Sequence, residues 1–330
     1  MLRRLTAALS LLAALAAQPA AAACDAPDLL STMSAGERDR LAAMAAEIPY
    51  GDGILWRADK DGHRIILAGT MHLPDPRSDA LFTHLARVMH GSDLALFEMT
   101  RTEEAEMREV LTAEPERMLV TDGPDLEARL DAETWAALSA AAEARGIPPA
   151  FAARVEPWFL VLTLSAPPCL PPDGGDGGLD HRLMDRATAE GIEVRALEPW
   201  DTLLRIVAEA DDSQELDMLR LSLQPPEMQQ QLFNATLELY FDERIGEIMA
   251  LTALSAEMSP GIDLEEALAV NAAAEEALLY GRNEDWLPHI IAAGEANAKT
   301  FVAVGAAHLP GERGVLRGLE AAGWTVTPPP

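Results

Sequence analysis

Arg64-Ile65-Ile66-Leu67-Ala68-Gly69-Thr70-Met71-His72-Leu73-Pro74 decides how this chain is read, because it is written a second time as Thr300-Phe301-Val302-Ala303-Val304-Gly305-Ala306-Ala307-His308-Leu309-Pro310. Each copy is a short apolar run that breaks at a glycine and delivers a histidine three residues later. Runs of that length bounded by Gly and Pro read as buried strands rather than helices. The glycine is expected to turn the backbone sharply off the strand end, and the proline to stop any return to the ladder. In an open α/β sheet, residues just past the carboxyl ends of strands line the ligand crevice. Either histidine alone reads as a loop residue satisfied by water. Two copies agreeing at Gly, His, Leu and Pro read instead as one shared site, with both strands in one sheet and ending on one side.

Working outward, Ile54 to Ala58 and Arg64 to Ala68 flank the turn signal Asp59-Lys60-Asp61-Gly62 and form a β-hairpin. Ser34-Ala35-Gly36-Glu37 is a capping box ahead of a helix running to Glu47. Asp79 is expected to cap a helix ending near Gly91, and Asp93 to Phe97 is a buried strand ending at Glu98. A carboxylate on such an exit is either a solvated first loop residue or a ligand; in a right-handed β-α-β unit it would emerge beside His72. Thr102 to Ser165 is helical, and Pro167 to Gly178 is a Pro/Gly/Asp loop. Gly178-Leu179-Asp180-His181 opens a helix, where Asp180 can act as a cap. Ile192 to Leu197 is a third strand with a carboxylate, Glu198, on its exit. Residues 199 to 294 are almost wholly helical, with Arg282 expected in a tight inter-helix turn after Gly281, as a surface cation or a bidentate anion clamp. Gly311 to Ala322 is a last helix before the closing strand Trp324 to Thr327. The fold class is α/β: a central sheet with flanking helices and a large helical middle region, in which two pseudo-equivalent halves each carry one G-x-x-H. No linker is long enough to divide it.

Composition narrows the function. The 330 residues carry a formal net charge of −29, which argues against nucleic acid and against docking on anionic lipid. Residues 1 to 23 form a signal peptide, with Arg3 and Arg4 ahead of an apolar run and alanines at a cleavage position. Residues 24 to 330 are then the mature domain, periplasmic or secreted, with no stable membrane insertion after processing. Cys24 directly after the alanines permits a lipoprotein anchor, although Ala21 stands where such sites carry Leu. The only two cysteines, Cys24 and Cys169, read as one disulfide in an oxidising compartment or as two free thiols. Nothing in the sequence fixes an oligomeric state.

Leu55-Trp56, Gly69-Thr70-Met71-His72, Phe97-Glu98, Gly178-Leu179-Asp180, Leu197-Glu198, Arg282-Asn283 followed by Trp286, and Phe301 through Pro310 together resemble the TraB/GumN family, which includes the animal Tiki proteins. The resemblance implies an α/β fold with distant similarity to erythromycin esterases (EreA) and ChaN-like haem-binding proteins. It also implies a metal-dependent peptidase acting on short or extended peptides, with manganese or cobalt favoured. Chemically, imidazole plus carboxylate suits Mn²⁺, Co²⁺ or Zn²⁺. His72, Glu98 and His308 are the candidate ligands, Glu198 the general base and Arg282 the oxyanion stabiliser. Asp180 and Asn283 are expected as supporting residues beside the ion. His63, His84, His90, His181 and His289 are read as surface or helix-face residues. A non-catalytic binding protein for haem or a peptide signal, using the same crevice, is the alternative.

Overall fold

The computed structural model describes residues 24–170, 178–209, 212–257 and 263–329. The signal segment and most of the loop after Pro167 lie outside the described residues. Six strands form one sheet in the order β4-β3-β5-β2-β1-β6: β1 Leu55–Lys60, β2 His63–Thr70, β3 Leu94–Phe97, β4 Glu193–Ala196, β5 Lys299–Gly305 and β6 Thr325–Thr327. β1 and β2 are the expected hairpin, with Asp61 and Gly62 both at positive φ, as a two-residue type I′ turn requires. β2 and β5, which carry the repeated motif, are parallel neighbours, Gly69 opposite Val304 and Thr70 opposite Gly305. β3 joins the other side of β5, and β4 pairs parallel with β3 at the sheet edge. The two histidine strands therefore share a sheet and end on the same side.

The central strands β2, β3 and β5 are buried and apolar on both faces, as expected for a sheet covered on both sides. Ile65, Leu67, Leu94, Leu96, Val302 and Val304 pack on one face against Trp286, Ile290, Leu316 and Leu319. Ile66, Ala68, Ala95, Phe97, Phe301 and Ala303 pack on the other against Leu85, Met89, Leu183 and Met184. The helical middle region builds clusters of its own, one around Leu41, Leu239 and Leu251 and another around Leu138, Leu160 and Leu219. A Cys24–Cys169 disulfide ties the start of the described chain to that region, and Asn234 Nδ2 donates to the carbonyls of Cys24 and Ala26. Among the described residues no helix is long and apolar enough to cross a membrane.

Four local expectations are corrected. The helix after Pro76 spans Ser78–Met89 with Arg77 at its N-cap; Asp79 sits inside the first turn and accepts from Arg182 at 2.8 Å. The last helix starts at Val315 rather than Gly311, because Gly311 takes a left-handed φ of 95°. Gly281 ends no helix: Leu264–Glu275, a π-helical segment Glu276–Tyr280 and Gly281–Ala296 run on continuously. Arg282 consequently stands on a helix, not in a turn. Finally, neither motif glycine turns the chain through a positive φ. Their role is close approach: a Cβ at Gly69 would stand 2.9 Å from the Ala306 Cα.

Candidate functional site

The exits of β2, β3 and β5 meet around Gly305. Because β5 lies between β2 and β3, Glu98 does not emerge next to His72 as a simple β-α-β unit would give. It reaches across the end of β5, where Glu98 Oε1 accepts the Gly305 N–H at 2.6 Å. From there Oε1 stands 3.6 Å from His72 Nε2 and 3.9 Å from His308 Nε2. A Cβ at position 305 would lie 3.2 Å from Glu98 Oε1, 3.4 Å from His72 Nε2 and 3.5 Å from His308 Cδ2. The glycine thus keeps open a small cradle that three donor groups face.

Each histidine is held at its other nitrogen. Asn283 Oδ1 is 2.7 Å from His308 Nδ1, and Asn283 is fixed in turn by donating from Nδ2 to the Arg313 carbonyl. An Nδ1 proton given to Asn283 leaves His308 Nε2 as the acceptor nitrogen, 3.4 Å from Arg282 Nη1. Asp180 Oδ1 lies 3.3 Å from His72 Nδ1. Asp180 reaches that place because helix Leu179–Ala189 begins against the His72 loop: Leu179 N donates to Met71 O at 3.0 Å, and a Cβ on Gly178 would stand 2.3 Å from the His72 backbone.

Arg282 closes the site from the helix side. Its Nη2 donates to Glu98 Oε2 at 2.7 Å and to Glu198 Oε1 at 2.8 Å, while Nε donates to Glu198 Oε2 at 3.0 Å. Nη1 donates to the Leu278 carbonyl in the π segment and lies 3.4 Å from His308 Nε2. Trp286 Nε1 also donates to Glu198 Oε2, so both Glu198 oxygens are engaged. The Trp286 ring lies under the guanidinium and against the His308 ring. Burial opposes charge on Glu98, but His308, His72, Arg282 and the Gly305 N–H outweigh it and hold its carboxyl down at about 2. Burial drives His308 down to about 4, leaving it neutral. For His72, desolvation of a ring that is still more than half exposed opposes charge but loses to Asp180 and Glu98 together, which raise it to about 9.

The structure brings together His72, Glu98, Asp180, Glu198, Arg282, Asn283 and His308, and leaves the other histidines outside. His63 Nδ1 contacts the Asn297 carbonyl and His90 pairs with Glu190. His181 is not a plain surface residue; it is partly buried and paired with Glu104. Residue chemistry alone did not assign the roles of Trp286 and Gly305. For Gly305 the repeat was the signal, but the glycine was read as a turn former.

A mixed α/β protein with paired histidines and carboxylates on adjacent strand exits is thereby defined. The chain belongs to the TraB/PrgY/gumN family, whose family model matches residues 54–328. Comparison with curated proteins returned no match.

The donor set can be tested against a divalent ion. Among the described residues no group of three or more His, Cys, Asp or Glu is arranged as a ready-made metal site. The chemistry of the donors nevertheless fits one. His72 Nε2 and the His308 ring face a cradle beside one carboxylate oxygen, and each ring's Nδ1 has a neighbouring acceptor, as in metal-ligating histidines. Donors about 2.1 Å from a tetrahedral ion would stand about 3.4 Å apart, against 3.6 Å from Glu98 Oε1 to His72 Nε2 and 3.9 Å to His308 Nε2.

Proposed function

We propose that the protein is an exported metal-dependent hydrolase, a peptidase acting on short or extended peptides. The observation that carries this reading is the cradle at Gly305, which Glu98 Oε1, His72 Nε2 and the His308 ring face, with Oε1 3.6 and 3.9 Å from the two Nε2 atoms. His72, Glu98 and His308 would hold a divalent ion, Mn²⁺, Co²⁺ or Zn²⁺, and the two G-x-x-H exits would act as equivalent halves of one site, as on EreA- and ChaN-like folds. Such an ion lowers the pKa of water and polarises a carbonyl. Asp180 and Asn283 orient the two imidazoles. Arg282, locked by two carboxylates, presents a preorganised cation to charge developing on a substrate oxygen. Glu198, expected as the general base, is assigned here to fixing Arg282, because both its oxygens already accept from Arg282 or Trp286.

Export rests on residues 1 to 23 as a signal peptide, and the Cys24–Cys169 bond supports an oxidising destination, periplasmic or secreted. With its sulfur in that bond, Cys24 has no thiol left for a lipid anchor. The domain proper would be residues 24 to 330.

Metal analysis of protein purified without a His tag, followed by a quenched peptide library, tests the reading. Stoichiometric metal with cleavage that EDTA abolishes is expected. Metal-free protein that stays inert when Mn²⁺, Co²⁺ and Zn²⁺ are each supplied would overturn it. One observation favours a second reading, a non-catalytic binder of haem or a peptide: Arg282 already compensates both carboxylates. A Soret band on haem addition, without cleavage, would select that reading.

A further inference from the structure

The two edges of the sheet are finished differently. At one edge, β6 has three residues and is followed in sequence by Pro328-Pro329-Pro330, a stop that blocks further pairing. At the other edge, among the described residues, β4 pairs only with β3. Leu197 N donates to the Phe97 carbonyl on β3, and alternate residues of a strand point their backbone groups to opposite sides. Val194 and Ala196 therefore turn their N–H and C=O groups outward. Among the described residues no backbone hydrogen bond reaches those groups from outside the sheet.

That edge is not bare surface. A groove of about 550 Å³ runs along Val194 to Pro199, with Thr100, Glu103 and His289 among its walls. The exposed side chains of Glu193 and Arg195 pair with each other on the strand and leave the backbone accessible. Glu198 at the strand's exit lines the end of the groove; its buried carboxylate points away to the Arg282 guanidinium that it shares with Glu98, so the groove ends one residue from the site. An unpaired strand edge that leads into a site is complementary to one kind of ligand, an extended peptide backbone, which adds to it as a further strand.

We propose that the β4 edge is a docking strand for extended peptides, laying them along the groove toward the cradle. What happens to the peptide after docking rests on the hydrolase reading; docking itself does not.

The test is fluorescence anisotropy with EDTA present throughout, so that no cleavage is needed. The probe is a fluorescein-labelled Lys-Thr-Val-Thr-Val-Thr-Lys peptide, compared with two versions N-methylated at alternate residues. A strand-added peptide turns every second N–H toward β4, so one N-methylated version should lose at least 10-fold in affinity and the other should bind as the parent. Ala196→Pro removes an outward N–H while sparing the ladder to β3, and should weaken the parent peptide at least 10-fold with thermal unfolding unchanged. Equal binding of all three peptides, or no saturable binding by the parent, overturns the proposal whatever the fate of the Ala196 variant. A dimer that Ala196→Pro dissociates would assign the edge to a second copy of the chain and overturn it too. None of these outcomes touches the metal reading, which metal content decides separately.

Discussion

His72 and His308 leave the sheet from neighbouring parallel strands by the same three-residue step, yet they end in opposite electrical states. The His72 side chain is 58% exposed and faces Asp180 and Glu98. His308 is 4% exposed, stacked on Trp286, with an amide at Nδ1 and a guanidinium near Nε2. One imidazole is therefore held protonated and the other neutral. A sequence repeat fixes where a side chain emerges; the partners brought by other elements fix what it does there.

Removing the cation that both carboxylates share should have the largest effect on that contrast. Arg282→Met leaves Glu98 and Glu198 buried without the cation they share, and should cost about 3–5 kcal/mol in urea unfolding. A loss below about 1 kcal/mol would mean that the carboxylates are not held by Arg282. The histidines themselves come next. Each alone reads in the sequence as a loop residue satisfied by water, but His308 is buried. His308→Ala should cost about 2–4 kcal/mol, through a void and an unpaired Asn283, against about 1 kcal/mol for the exposed His72→Ala. Equal losses would erase the distinction, although both replacements should abolish metal uptake.

The two glycines sharpen the same asymmetry. Gly69→Ala meets the backbone of Ala306 and should cost about 1–3 kcal/mol. Gly305→Ala meets side chains at 3.2–3.5 Å and should cost about 1 kcal/mol, yet remove metal binding by filling the cradle. Metal retained in Gly305→Ala would place the ion elsewhere.

The shallowest effect is on pH, at most about 1.4 kcal/mol per unit for one proton. In metal-free protein, His308 is lowered from 6.5 to about 4, so its contribution is complete above 6.5 and is lost as pH falls toward 4. His72 is raised from 6.5 to about 9, so its contribution is complete below 6.5 and is lost as pH rises toward 9. Stability should therefore peak near pH 6.5, with His72→Ala flattening the alkaline side and leaving the acid side. Unfolding midpoints across pH 4–9 would show it; an alkaline limb unchanged in His72→Ala would refute the assignment.

Most of this architecture was legible in the sequence because it depends on local pattern. Strands buried on both faces read as apolar runs, the Asp61-Gly62 turn announces its hairpin, and matched exits place two histidines on one side of a sheet. What pattern misses are contacts between distant segments. The order of β3 and β5 decides that Glu98 must cross Gly305, and no stretch of sequence states it. The burial of His308 depends on Trp286 and Asn283 of another element. The pairing of Glu198 with Arg282 and Trp286 also required the helix at 281–296 to be placed against the strand exits. The same holds for the glycines, whose value lies in what a Cβ would strike.

The π-helical segment 276–280 has a consequence for how the molecule can vary. On one side of it, helix Leu264–Glu275 packs on other helices; on the other, helix Gly281–Ala296 packs on β2 and β5 and carries Arg282, Asn283 and Trp286. A regular helix holds one angular phase from end to end, so it would force both halves to change together. The wider turn takes up the mismatch. The helical region can therefore be reshaped, to fit a different client molecule for instance, without rotating the arginine away from its carboxylates. Deleting one residue at Leu279 would couple the two again.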